Sequence, residues 1–548
     1  MDAEEEKWNH LTTWMEELSE GRWLRKDLKV EFRQVPGSTI LTLPIATLLH
    51  PKTIERADNE AREATSPNPF TIHASILPHS TPSKRDKREP QGLGSRLTTT
   101  QALSLYLALN RHASLEKANT RYSPWAAYIG TLPTSFRPWH PLTWLVQPAP
   151  GVPGDEDWSS LNHLAKNHLP DSAYDKLQDM LGRYRGDLKA MERCVSLALE
   201  KEGSDSFGWR WSDLSEEDLL WGWLNVNTRT LYLDLDIPPL PKTAHVDPNS
   251  TGKRTRSDAD SEQQNHTMGP LLDLANHTHL RHSLDDEGVP TKRVAICDVH
   301  AVEETRGGHY TTVQPRTSKL KNRGPSNWRK RTLQLRAPES AGLNKGDEVV
   351  FAYGPHSDET LFSEYGFVPV DDPNPWNDVH VDVQVNAAWS QSENLKIVDL
   401  KRQVLEINGY LNEYTLHCDP SPAHPSHRLL TASRLMHAQI PATALQRYID
   451  DPFAKQNHAD LQAWLDMLTG FTDTISDQNE DTVYAHLRSI CREMLEKAQK
   501  SLAAVAGLQY PESGQDVADA KRMVEHLWKN DCKILEGVIE SIDEDVIF

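Results

Sequence analysis

Cysteine is scarce in this chain of 548 residues: there are five, at Cys194, Cys297, Cys418, Cys491 and Cys532. None sits in a C-x-x-C pair or joins histidines at zinc-ligand spacing, so neither a disulfide framework nor a structural zinc is expected. Long apolar runs are missing as well. No stretch approaches the ~20 residues that a membrane helix needs, and Met1-Asp2-Ala3-Glu4-Glu5-Glu6 is the opposite of a signal peptide's basic start. A cytoplasmic or nuclear location with no membrane partner is the expectation. Positive charge is also short, with 59 Lys and Arg against 79 Asp and Glu and a net charge of -20. Affinity for phosphate comes mostly from lysine and arginine displacing counterions, so direct nucleic-acid binding is not expected, and a basic protein suits this surface better. No repeat of solenoid period is visible.

The length predicts two or three domains, each able to bury a core without staples. Trp8, Leu11, Met15 and Leu18, three and four apart and ended by Gly21, predict a first helix. Leu28, Val30 and Phe32 alternate with charged residues as a strand does, and after Pro36-Gly37 the run Thr39–Pro44 reads as its hairpin partner. From about Ser66 to Ser95, around Lys84-Arg85-Asp86-Lys87-Arg88, an exposed loop is expected. Thr98 to Thr230 should be mostly helical, with Leu103, Leu107 and Leu109 in an amphipathic stretch and a capping box at Ser215–Asp218. Polar, structureless segments are expected from about Lys242 to Met268 and from His279 to Arg331. The second carries Lys319, Lys321, Arg323, Arg329, Lys330 and Arg331. Pro369–Pro373 reads as a linker, and the rest as helices. One apolar stripe runs Val483, Leu487, Ile490, Met494, Ala498, Leu502, Val505, and a second runs Val517, Ala520, Val524, Leu527, Ile534, Val538.

Two segments carry the chemistry. Phe351–Val368 sets Tyr353 and Tyr365, each before a glycine, on either side of a short acidic helix, and upstream lies Leu272-Asp273-Leu274-Ala275-Asn276-His277-Thr278. Together they resemble the "Y-G-…-L-x-x-Y-G-F-V" and "D-x-x-N-H" motifs of SET-domain protein lysine methyltransferases. Trp125–Pro133 and Trp221-Gly222-Trp223-Leu224-Asn225-Val226-Asn227-Thr228-Arg229 extend the resemblance to the Rubisco large-subunit methyltransferase branch. Within that branch the pattern is similar to the subfamily of the fourth animal SET-domain-containing protein and its fungal counterparts.

The resemblance implies an α+β architecture: a split, knot-like, β-rich SET domain with a helical insert, then an all-α substrate-binding domain. The corresponding boundaries are 1–75 for the first part, 76–235 for the insert, 236–370 for the catalytic part and 371–548 for the helical domain. It implies an S-adenosyl-L-methionine-dependent protein-lysine N-methyltransferase, monomeric, acting on a ribosomal protein, a histone or another basic protein. Tyr353 is then the tyrosine whose hydroxyl stands beside the transferred methyl. Tyr365 and Phe367 wall the cofactor and the lysine channel, Asn276 and His277 hold the cofactor with Asp273 in support, and Arg229 reaches its carboxylate. His424–Leu430 belongs to the same resemblance and reads as a loop-to-helix junction.

One part of the pattern is missing. The family's early G-x-G strand, whose backbone lies against the cofactor, is not found between Arg33 and Pro36. That keeps a second reading open, a SET-fold module that binds a protein partner without methylating it. A general scaffold with no small-molecule site is the third.

Overall fold

The strand Thr39–Pro44 (β1) is buried along almost its whole length, because it is paired on one edge and covered on both faces. In this computed structural model, residues 37–63, 96–112, 124–149, 155–203, 209–233, 266–279, 297–304, 331–338 and 348–548 are described with brief interruptions, together with shorter stretches between them. The first helix is described only at Asn9–Leu11 and Thr13. The strand expected over Leu28–Phe32, the gap left by the missing glycine strand, Lys84–Arg88 and Lys319–Lys330 lie outside the described residues.

The chain divides into two compact units. One holds residues 1–137, 148–152 and 179–355, the other 138–147, 153–178 and 356–548. The division falls at Pro355/His356 and not at the linker expected over Pro369–Pro373. Two stretches of the expected helical insert, Pro138–Gln147 and Pro153–Gln178, also group with the C-terminal helices.

In the first unit, strands follow β1 along the chain as β2 (Thr230–Tyr232), β3 (His266–Met268), β4 (Asn276–His277), β5 (His282–Leu284), β6 (Pro290–Arg293), β7 (Asp298–Glu304), β8 (Tyr310–Thr312), β9 (Arg331–Arg336) and β10 (Val350–Phe351). The partner of β1 is β9, antiparallel, with Leu41 opposite Leu335 and Leu43 opposite Leu333. The sheet continues in the order β1-β9-β7-β8. Four strands therefore occupy the segment from His279 to Arg331 that was expected to be structureless, and β3 closes the other polar segment by pairing with β2. Their own sequences are too short and polar to signal a strand. In β7 it is the pairing of Val299 with Leu335 and Ala301 with Leu333 that sets the conformation.

Helices cover this sheet system. Thr99–Asn110 is buried on every side, not amphipathic as expected. It starts with a capping box in which Thr98 accepts from the Gln101 amide and Gln101 accepts from the Thr98 amide. Against it runs Glu216–Arg229, capped by Ser215, whose hydroxyl accepts from the Asp218 amide at 3.0 Å. The return bond differs from a full capping box: the serine hydroxyl donates to the Asp218 carboxylate at 2.6 Å. Gly222 sets the spacing of this pair, since a Cβ there would lie 2.4 Å from the Ser104 carbonyl oxygen. Trp221 and Trp223 on either side of it donate to the Pro133 carbonyl and to Asp187, so both indoles are buried with their polar atoms satisfied.

The second unit is mainly helical. A three-stranded sheet of β11 (Asp378–His380), β12 (Thr415–His417) and β13 (His424–Pro425) precedes His427–His437. That helix is capped by Ser426 at the junction read from the sequence. Two long helices, Asp477–Gly507 and Gln515–Asp543, bury Val483, Leu487, Ile490, Ala498 and Val505 on one and Val517, Ala520, Val524, Leu527, Ile534 and Val538 on the other. The second stripe is core throughout, as expected, and the first is core except at Met494 and Leu502, which are half-buried. Arg434 and Glu480 form a buried two-point ion pair at 2.6 and 2.7 Å. The Lys401 ammonium, also buried, donates to the Met436 and Ala438 carbonyls at the end of a helix.

Candidate active site

Two segments far apart in sequence are brought together by a parallel pairing. β4 runs beside β10, with Asn276 opposite Val350 and His277 opposite Phe351. The Thr278 amide donates to the Phe351 carbonyl and the Cys297 amide to the Val350 carbonyl. Tyr353, just beyond β10, donates its backbone N–H to His277 Nδ1 at 3.1 Å, across 76 positions of sequence. A backbone amide can only donate, so Nδ1 is the acceptor and His277 is neutral with its proton on Nε2. That proton points to His279 Nδ1 at 3.2 Å. The Tyr353 hydroxyl donates to the Ala275 carbonyl at 3.0 Å. The His277 and Phe351 rings each lie 5.1 Å from the Tyr353 ring.

Asp273 is the second anchor. Its side chain is fully buried and its Oδ2 accepts from the Tyr128 hydroxyl at 2.8 Å. Arg229, at the end of its helix, donates through Nη1 to the Asp273 carbonyl at 3.1 Å and lies 3.4 Å from the carboxylate. Burial pushes the Asp273 carboxyl above its ordinary value, and Arg229 and Tyr128 pull it part of the way back. Burial, and then the neighbouring carboxylate, push the Tyr128 phenol far up, so its proton stays in place as a donor. Leu271, just before this turn, is buried at a φ of 70°, a left-handed conformation that costs a bulky residue of order 1–3 kcal/mol.

Asn276 is placed differently. It is exposed, and its amide donates to Glu348 at 2.5 Å. The remaining two residues, Tyr365 and Phe367, belong to the second unit. There a single α turn, Asp358–Thr360, widens into a π turn, Leu361–Tyr365, closed by Gly366 at a φ of 82°. The Tyr365 and Phe367 rings meet edge to face at 6.4 Å, and burial, then Glu364, raise the Tyr365 phenol. Beneath Gly366 lies His140. Its Nδ1 accepts from the Leu142 amide and its Nε2 donates to the Glu364 carbonyl. Burial holds this imidazole down at about 4.

The first unit thus gathers Arg229, Asp273, His277 and Tyr353 and leaves Asn276 at their edge. Sequence reasoning missed Tyr128 as the partner of Asp273, although it stands inside the quoted Trp125–Pro133 motif. It also missed His140, which nothing in the sequence distinguishes from the other histidines.

Comparison with known proteins adds three findings. Residues 392–535 match the family described as Rubisco LSMT substrate-binding. The chain is 26% identical over 331 residues to "SET domain-containing protein 4" of Homo sapiens, a match covering 60% of this chain and 55% of that protein. It thus spans about half of that relative's length. To "Ribosomal lysine N-methyltransferase set11" of Schizosaccharomyces pombe it is 22% identical over 440 residues, covering 79% of this chain and 78% of that one. Among solved structures, the SET domain of LSMT bound to lysine and AdoHcy superposes over 98% of this chain and 92% of its own, with a TM-score of 0.52 at 13% identity, a likeness of fold. The chain thus shares the fold of the LSMT SET domain, its C-terminal region matches the Rubisco LSMT substrate-binding family, and it is similar in sequence to SET domain-containing protein 4 and to set11.

Proposed function

We propose that this chain is an S-adenosylmethionine-dependent protein lysine N-methyltransferase acting on a basic protein, a ribosomal one first. The observation that carries the reading is the clamp on Tyr353: its amide is held by His277 and its hydroxyl by the Ala275 carbonyl. The name of the Schizosaccharomyces pombe relative supports the ribosomal substrate, and the net charge of -20 suits a basic partner. A cytoplasmic or nuclear location is part of the same proposal.

The residues present suit such a cofactor. Arg229 spends Nη1 on Asp273 and has no other hydrogen bond among the described residues, so Nη2 remains for a carboxylate. When bound, the cofactor supplies an electrophilic methyl group. The attacking lysine must be neutral, although its free pKa is ~10.4, and an apolar aromatic channel disfavours the ammonium form. Tyr365 and Phe367 are aromatic residues of the kind such a channel needs. Tyr353, its proton committed to Ala275, offers its oxygen to polarised C–H groups and orients the amine, and no strong base is needed.

Calorimetric titration with S-adenosylmethionine, followed by transfer of labelled methyl to purified ribosomal proteins, tests this. Micromolar binding and labelling that Tyr353→Phe abolishes are expected. An inactive, partner-binding SET module is favoured by one observation, the glycine strand absent between Arg33 and Pro36. That reading predicts no cofactor binding and partner capture indifferent to Tyr353→Phe.

A further inference from the structure

Asp358 opens the turn that carries Tyr365 and Phe367, and it is one of the most completely held carboxylates among the described residues. It is 1% exposed. Its Oδ1 accepts from Asn374 at 2.8 Å, and its Oδ2 accepts from Asn377 at 2.9 Å, His526 at 3.0 Å and Asn530 at 2.6 Å. Its backbone amide donates to Asn377 at 2.8 Å. His526 and Asn530 stand one helical turn apart on Gln515–Asp543, inside the region that matches the substrate-binding family. A buried charge keeps its geometry only while its donors are in place, since removing one leaves it poorly compensated.

These donors do not act on Asp358 alone. Asn374 also donates to the His356 carbonyl at 2.9 Å, so the chain just before the turn is fixed by the same residue. Beside the network lies a cavity of about 210 Å³, lined in part by Asn374, Asn377, His526, Asn530, Cys418 and Lys533. The cavity therefore borders the clasp on both its asparagines, Asn374 and Asn377, and its last-helix donors, His526 and Asn530.

We propose that Asp358 is a positioning residue: through it, His526 and Asn530 of the last helix fix the Tyr365–Phe367 segment in the arrangement that methyl transfer requires. This rests on the methyltransferase reading for its kinetic consequence and on geometry alone for its mechanical one. Asn530 and His526 lie outside both motifs that resemble the catalytic segments, so a kinetic effect from either has to travel through the clasp.

The test uses the full chain with His526→Ala, Asn530→Ala and the conservative His526→Gln, whose amide can still donate to Asp358. Amide hydrogen exchange is read by mass spectrometry, and methyl transfer by steady-state kinetics. The alanine variants should speed exchange across Leu361–Phe367 at least tenfold while Val517–Val538 stays protected. They should lower kcat about tenfold with S-adenosylmethionine affinity changed less than threefold, and His526→Gln should recover most of both effects. Unchanged exchange across Leu361–Phe367 overturns the proposal, as does faster exchange with an unchanged kcat. If exchange responds as expected but the parent chain transfers no methyl, the methyltransferase reading falls and the clasp stands.

Discussion

His140 lies directly under Gly366: a Cβ built on the glycine would sit 3.0 Å from the imidazole Cδ2 and 3.2 Å from the His140 Cα. With φ at 82°, residue 366 is in the left-handed region as well, so space and backbone both ask for glycine. Gly366→Ala should cost about 2–3 kcal/mol, roughly 1 from the backbone and the rest from overpacking. Chemical denaturation measures it. A loss below about half a kcal/mol would mean that the His140 backbone yields freely.

The same histidine should leave a mark on the pH dependence of stability. Burial holds it at about 4, below the ~6.5 of an unfolded histidine, so the unfolded chain takes up the proton first. Stability is then full above about 6.5 and falls as the pH drops toward 4, by about 3 kcal/mol in all. His437 is held at about 4 by burial and by His486 and contributes a similar slope of its own. His140→Gln, which can keep both hydrogen bonds, should remove about one proton's worth of slope across that window in urea melts. An unaltered slope would show that the imidazole is not confined as described.

Asp358 also loses stability on acidification, but in a lower pH window and for a different reason. Burial works to raise its carboxyl, but hydrogen bonds from His526, Asn374 and Asn377 outweigh it and hold the group below its ordinary value. Its contribution is present above the unfolded value of about 3.9 and is lost as the pH falls through the lower folded value. Asp358→Asn should therefore be less stable at pH 7 by roughly 2 kcal/mol, with the gap to the parent narrowing on acidification below pH 4. A gap that widens in acid would contradict the assigned direction.

The pair Arg434–Glu480 separates packing from charge. Its guanidinium and carboxylate are 6% and 12% exposed, so Arg434→Met alone strands a buried carboxylate and should cost about 3–5 kcal/mol. Arg434→Met with Glu480→Met should recover most of that loss, as measured by thermal unfolding. If the double variant is no better than the single, the charges contribute more than their desolvation costs.

How much of this was readable beforehand depended on the distance over which each feature is determined. The long C-terminal helices were legible because their buried stripes repeat over about six turns each, and the Ser426 junction because capping is local. The strands β5 to β8 were not legible, since β7 is held by Leu333 and Leu335 of a later strand and not by a pattern of its own. At the site, the residue types of Tyr353, His277, Asp273 and Arg229 stood out through their motifs. The bond from the Tyr353 amide to His277 did not, and neither did the exposed placement of Asn276. Asp358 shows the limit most plainly, because two of its four donors come from residues 526 and 530, far beyond any local signal.

The parallel ladder of β4 and β10 makes the spacing between its two halves a loop-closure problem. Residues 278–349 need only return their ends to neighbouring positions, and the entropic cost of that return grows with the logarithm of length, by about 0.6 kcal/mol for each doubling. The juxtaposition of His277 and Tyr353 is therefore nearly indifferent to how much chain is threaded between them. Its cost falls on the rate of assembly, because a ladder closed across so long a separation forms late in folding.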